Sequence, residues 1–152
     1  MHLNLEKLTV SQKLFEPFGD VISKGMENNK FLINQGYCER FDEVATVQVL
    51  DKKANPIISI FSATPRKRPI KIDWQVVVAN DKDGSPDLSS IKYFEVPGDV
   101  GINYNPKVWH FPLLVNTAQD FLVIDRSSVL DAGKENLREF FFHSNGNEIY
   151  IE

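Results

Sequence analysis

The sequence predicts a mainly β fold, a sandwich or barrel, in a single domain spanning residues 1–152. Three observations predict it. The apolar segments are short and rich in Val, Ile and Phe, turn chemistry separates them at close intervals, and only two short stretches carry helix signals. A chain of 152 residues is long enough to bury most of its apolar surface in one core.

Taken in order, MHLNLEKLTV alternates apolar and polar residues and lacks the apolar core and cleavage site of a signal peptide. Thr9 followed by Gln12 reads as a capping box opening a helix in TVSQKLF, and Pro17 ends it. Strands are predicted at TVQVL (46–50), IISIF (57–61), WQVVVA (74–79) and IKYFEV (91–96). Three more follow at VWHFPLLV (108–115), FLVID (121–125) and EIYIE (148–152). The turns between them are ANP (54–56), DKDGSPD (81–87), PGD (97–99), NP (105–106) and SNGN (144–147). LSSI (88–91) forms one helical turn after Asp87, whereas the polar DAGKENLREF (131–140) is compatible with loop or helix. WQVVVA and FLVID are apolar on both faces, so a second sheet or a partner subunit must cover both.

Composition excludes several classes of function. A formal net charge of −4 gives no electrostatic reason to expect a nucleic-acid partner. The longest apolar runs, such as VVVA (76–79), are too short to span a bilayer. The single cysteine, Cys38, forms no internal disulfide, excludes a cysteine-based zinc site and fits a reducing cytoplasm. There is no GxGxxG, Walker loop, GxSxG or HExxH.

Candidate chemistry concentrates in GDVGINYNPKVWHFPLL (98–114). A glycine-rich turn and a proline lead there into an apolar strand that carries His110. The bland reading of His110 is a hydrogen-bonded core residue; the sharp one is a metal ligand or an acid/base. Strand parity puts His110 on the face of Val108 and puts Trp109 and Phe111 on the other, where a dimer interface would cover them. Asp125 and Arg126 end a strand, pointing opposite ways. Arg126 is a candidate carboxylate clamp or half of a surface ion pair. Arg40, in ERFDE (39–43), poses the same choice. The basic TPRKRPIKI (64–72) reads as a solvated turn or as a positive rim that draws in small anions. His2 and His143 are given no role.

GINYNPKVWHFPLLVNTAQDFLVIDR (101–126) resembles the ureidoglycolate lyase family, of cupin fold. The glycine turn, proline and His110 have the shape of the second cupin motif. The resemblance extends through FEPFGDVI (15–22), INQGYCERFDEVA (33–45), PIISIFSATPRKRPIKI (56–72) and DWQVVVAN (73–80). It implies a cupin-like double-stranded β-helix barrel, cleavage of ureidoglycolate to glyoxylate and urea in allantoin degradation, and a homodimer. It also implies a divalent metal, nickel, with His110 as its ligand here if there is one. His110 would serve as acid/base, Tyr104 and Asn103 would bond the ureido or hydroxyl groups, and Arg40 or Arg126 would hold the carboxylate.

Two departures stand out. The family carries a second histidine where this chain has Phe111; adjacent strand residues cannot both face a lumen, so the loss is tolerable. The family also has a segment resembling ERHPLGSQAF before the DW strand, whereas here Ile72 runs straight into Asp73. Collinear resemblance on both sides predicts residues between them and a Cα separation well beyond the ~3.8 Å of a trans peptide. A true deletion would instead remove about one or two strands and favour a rival reading. That rival is a non-catalytic cupin that binds a small carboxylate or serves as a structural homodimer.

Overall fold

A computed structural model describes residues 2–27, 29–65, 74–115, 117–127, 138–142 and 148–151. It opens with β1 (His2–Leu5), β2 (Lys7–Thr9), the one-turn helix α1 (Gln12–Phe15) and β3 (Gly19–Ile22). A hairpin of β4 (Asn29–Ile33) and β5 (Cys38–Asp42) follows, then β6 (Pro56–Ala63) and β7 (Trp74–Ala79). The tight hairpin of β8 (Asp81–Lys82) and β9 (Ser85–Pro86) leads to β10 (Lys92–Val96) and β11 (Gly101–Tyr104). The chain continues with β12 (Trp109–Val115) and β13 (Gln119–Arg126), and β14 (Glu148–Ile151) comes last. The fold is mainly β, as expected. No helix among the described residues is long and apolar enough to cross a membrane.

One four-stranded sheet, ordered β12-β7-β10-β2, organises the core. Here β7 pairs antiparallel with β10 and β12, and β2 joins β10 in parallel. Among the described residues there are also five two-stranded pairs: β1–β14, β3–β11, β6–β13, β4–β5 and β8–β9. WQVVVA is covered on both faces, and alternation explains how. Val76 and Val78 share a core with Phe94, Val96 and three residues from outside the sheet, Phe15, Phe18 and Val21. On the opposite face Ala79 and Tyr93 pack with Leu5 and Ile91, and Val77, Trp109 and Phe142 lie against them.

Cover over Trp109 comes in part from its own chain. Its indole Nε1 donates to Asp81 Oδ1 at 2.8 Å, the Arg138 guanidinium lies 5.8 Å over the ring, and Phe140 meets it edge-on. Phe111 remains 47% exposed. The cover expected over both faces of FLVID is also incomplete, since Leu122 and Ile124 point outward.

Local signals are corrected at two places. The cap of α1 is Ser11, whose Oγ accepts from Leu14 N, whereas Thr9 is held in β2 opposite Glu95. TVQVL is irregular instead of a strand. LSSI contains the expected turn, a 3-10 helix over Leu88–Ser90 capped by Asp87. In DKDGSPD the positive φ of Asp83 and Gly84 supplies the reversal between β8 and β9. Outside the described residues lie 131–137 of the polar stretch, 66–72 of the basic stretch, His143 and the Ile72–Asp73 junction.

Candidate functional site

The candidate site begins where β3 meets β11. Their antiparallel register sets Asp20 opposite Asn103 and Gly19 opposite Tyr104. A Cβ at Gly19, where φ is +149°, would sit 1.8 Å from the Asn103 carbonyl oxygen, so only glycine permits this approach. Gln12 ties α1 to the same strand, its Oε1 accepting from Val21 N at 2.8 Å. Asn103 then works as a bracket. Its Nδ2 donates to Asp20 Oδ2 at 3.0 Å and to the Thr46 carbonyl at 3.1 Å, drawing the irregular 43–48 segment over the pair.

Between these elements lies a cavity of about 400 Å³. Tyr104 and Asn103 line it, with the amides of Gln12, Gln48 and Asn105. Its ionisable carboxylates are Asp20 and Glu43, and no lysine or arginine is among the lining residues. The cavity therefore offers hydrogen-bond partners in number and a negative bias in charge.

Tyr104 connects the cavity to His110. Their rings stack with centroids 4.2 Å apart and planes 13° from parallel. Burial pushes the Tyr104 phenol above its ordinary range, so it remains a neutral donor at physiological pH. His110 pairs directly with Val78, which places it on the face of the main core as parity predicts. Its side chain is nevertheless exposed, and it stacks on a lining residue without lining the cavity itself. The Nδ1 atom lies 3.0 Å from the Val108 carbonyl, which can only accept. Nδ1 therefore carries the proton of the neutral ring, and Nε2 keeps the lone pair. Beyond Phe111 the register of β12 shifts before Leu114, with Leu113 at φ 58°, so the parity that places His110 ends there.

The structure does not bring either arginine to the cavity. Arg40, on β5, has its Nε 2.6 Å from Asp42 Oδ1 and a side chain 61% exposed. Arg126, at the end of β13, has its Nη1 3.2 Å from Asp51 Oδ2. Nor do the described residues fit a metal centre: no group of three or more His, Cys, Asp or Glu among them could hold an ion. Asp20, Glu43, Gln12 and Gln48 are lining residues that reading the sequence missed. Asp20 lies 83 positions from Asn103, and nothing local in either segment announces the pairing.

A mainly β, cupin-like architecture with a polar cavity against β3 and β11 is thus the class that fold and site define. The chain belongs to the ureidoglycolate lyase family: residues 1–75 and 70–149 match its family model, described as ureidoglycolate lyase. A relative named ureidoglycolate lyase from Brucella anthropi is 37% identical over 162 residues, covering 92% of this chain and 89% of its own. One of the same name from Rhizobium etli is 35% identical over 150 residues, covering 86% of each. Another, from Salmonella paratyphi B, is 36% identical over 143 residues, covering 82% of this chain and 88% of its own.

Proposed function

We propose that this chain is a ureidoglycolate lyase, releasing glyoxylate and urea from ureidoglycolate in allantoin degradation. The observation that carries the reading is the family match, which runs over most of the chain from both ends. The cluster of His110, Tyr104 and Asn103 has the chemistry the reaction asks for. The substrate carbon bears a hydroxyl and a ureido nitrogen. Its cleavage needs a base to take the hydroxyl proton as C=O forms and an acid to protonate the nitrogen as C–N breaks.

His110 Nε2, with its lone pair, takes the hydroxyl proton and returns it to the departing nitrogen, a contribution of about 10²–10⁴-fold. The neutral Tyr104 phenol donates to the ureido or hydroxyl oxygen, and Asn103 orients the same group. For Arg40 or Arg126 to hold the carboxylate, the side chain has to leave Asp42 or Asp51. His110 is the one imidazole that the described residues bring to the site, so the steps are carried by side chains of this chain. The reading places the enzyme in the cytoplasm as a homodimer.

A second reading, a non-catalytic cupin that binds a small carboxylate or serves as a structural homodimer, is favoured by one specific observation. The Brucella relative aligns over 162 positions, more than the 152 residues of this chain. The two family matches meet at residues 70–75, where the ERHPLGSQAF-like segment would stand. Urea release from ureidoglycolate by the full chain, with and without nickel, separates the two. The lyase reading expects turnover that His110→Ala lowers by about 10²-fold or more while the far-UV spectrum is kept. No urea from the wild-type chain under either condition overturns it.

A further inference from the structure

We propose that the cavity against β3 and β11 receives the ureido end of the substrate, and that Asp20 makes it selective by holding Asn103 as a hydrogen-bond acceptor. The proposal rests on the lyase reading above and adds which end of the substrate enters and which atoms meet it.

The orientation of the Asn103 amide follows from its neighbours. One terminal atom of the side chain lies 3.0 Å from Asp20 Oδ2 and 3.1 Å from the Thr46 carbonyl oxygen. A carboxylate and a carbonyl can only accept, so this atom is Nδ2 and both of its hydrogens are engaged. Among the described residues nothing donates to the other atom, Oδ1, and Asn103 lines the cavity. Oδ1 is therefore the polar atom that Asn103 has left for a ligand. The two holding groups differ in firmness. Asp20 stands directly opposite Asn103 in the register of β3 and β11, whereas Thr46 belongs to an irregular segment. Asp20 is the fixed half of the bracket and acts through Asn103 as a positioning residue.

The rest of the lining has the same polarity. Asp20 and Glu43 bring carboxylates, and no lysine or arginine lines the cavity. Such a lining repels the carboxylate end of ureidoglycolate. The ureido end is neutral and donor-rich, with three N–H bonds against one carbonyl oxygen. The Tyr104 phenol supplies the donor that this oxygen needs, and Asn103 Oδ1 accepts from an N–H of the same group. His110 takes the hydroxyl proton in the proposed reaction, which leaves the N–H groups to Asn103. The carboxylate then lies outside the cavity, in keeping with the absence of Arg40 and Arg126 from its lining.

Urea and glycolate, which correspond to the two ends of the substrate, serve as separate probes. In NMR of the isotopically labelled full-length chain, urea should shift the Asn103 side-chain amide signal saturably, and glycolate should leave it in place. Urea is kept to about 0.1 M, far below the molar range that unfolds small proteins. In the lyase assay, Asp20→Ala should raise KM and the urea inhibition constant about 10-fold each, with kcat within about 2-fold of wild type. Inhibition by glycolate should not change. Asp20→Asn keeps an oxygen that accepts from Nδ2, so its KM should stay within about 3-fold of wild type. A merely structural role for Asp20 would weaken both inhibitors together, and that result overturns the proposal. So does an Asn103 signal that ignores urea, or a KM that Asp20→Ala leaves unchanged. An inactive wild-type chain overturns the lyase reading instead; the urea titration needs no turnover and still decides whether the cavity takes a ureido group.

Discussion

The four-stranded sheet and the β6–β13 pair are built from the same residue types, yet their surroundings differ. Val76 and Phe94 in the first have no exposed surface, while Ile58 and Leu122 in the second are almost three-quarters exposed. The sheet finds its cover from nearby chain. Residues 15–21 follow β2 directly, β1 precedes it, and Phe142 lies on the far face. The β6–β13 pair has one side on the core and nothing described on the other. Apolar strands state a need for cover without saying where it comes from; among the described residues this chain meets the need for the sheet and leaves one side of β6–β13 exposed.

The largest expected effect lies in the covered sheet. Phe94 packs against Phe15 and Phe18 with ring centroids 5.3 and 6.1 Å away, so Phe94→Ala should cost about 3–5 kcal/mol in denaturant unfolding. A loss under about 1 kcal/mol would mean that the site collapses and that the contrast in packing is weaker than the burial implies.

Gly19→Ala comes next. Its methyl group would meet the Asn103 carbonyl, and separating the strands should cost about 1–3 kcal/mol. It should also loosen the Asp20–Asn103 bracket, visible as a changed Asn103 side-chain amide signal in NMR. An unaltered Asn103 signal would detach the cavity from the core geometry.

A smaller effect is set by pH. Tyr93 is 1% exposed and donates to Gln75 Oε1; burial, and then the charge of Glu95, push its phenol up to about 12. The unfolded phenol ionises near 10, so the native state holds this proton more tightly. The stability it contributes is complete below about pH 10 and is lost as pH rises through about 12. Unfolding midpoints measured across that window should fall for the wild type and more gently for Tyr93→Phe. Equal slopes would remove Tyr93 as the cause.

The smallest effect belongs to the other open element, the β4–β5 hairpin. Leu32 is 69% exposed, and Leu32→Ser should change stability by no more than about 0.5 kcal/mol. A larger loss would reveal cover over a face that the protomer leaves open.

Much of this was legible in the residues because it is local. Seven predicted strands included six that form, each read from a run of Val, Ile and Phe between turns. The seventh, TVQVL, has the right composition, but the Thr46 carbonyl is engaged by the Asn103 side chain and the segment runs along the cavity. Thr9 and Ser11 both suit a helix cap; pairing with β10 claims Thr9 and leaves the cap to Ser11. Asn103, Tyr104 and His110 fall within eight residues of each other, and strand parity alone puts His110 on the face of Val108.

By itself, then, the sequence determined the β class, the strand that carries His110, the face to which it turns and the family to which the chain belongs. The tertiary structure decided the rest. It set Asp20 beside Asn103, brought Glu43 and Gln48 to the cavity, engaged Arg40 and Arg126 with carboxylates elsewhere, and left one face of β6–β13 open. The reason is range. Periodicity, capping and turn chemistry act over a few residues and leave their mark in the order of the chain. The partner of a side chain many positions away is chosen by packing, in which a glycine that lets two strands close or a carboxylate that captures a guanidinium outweighs any local preference.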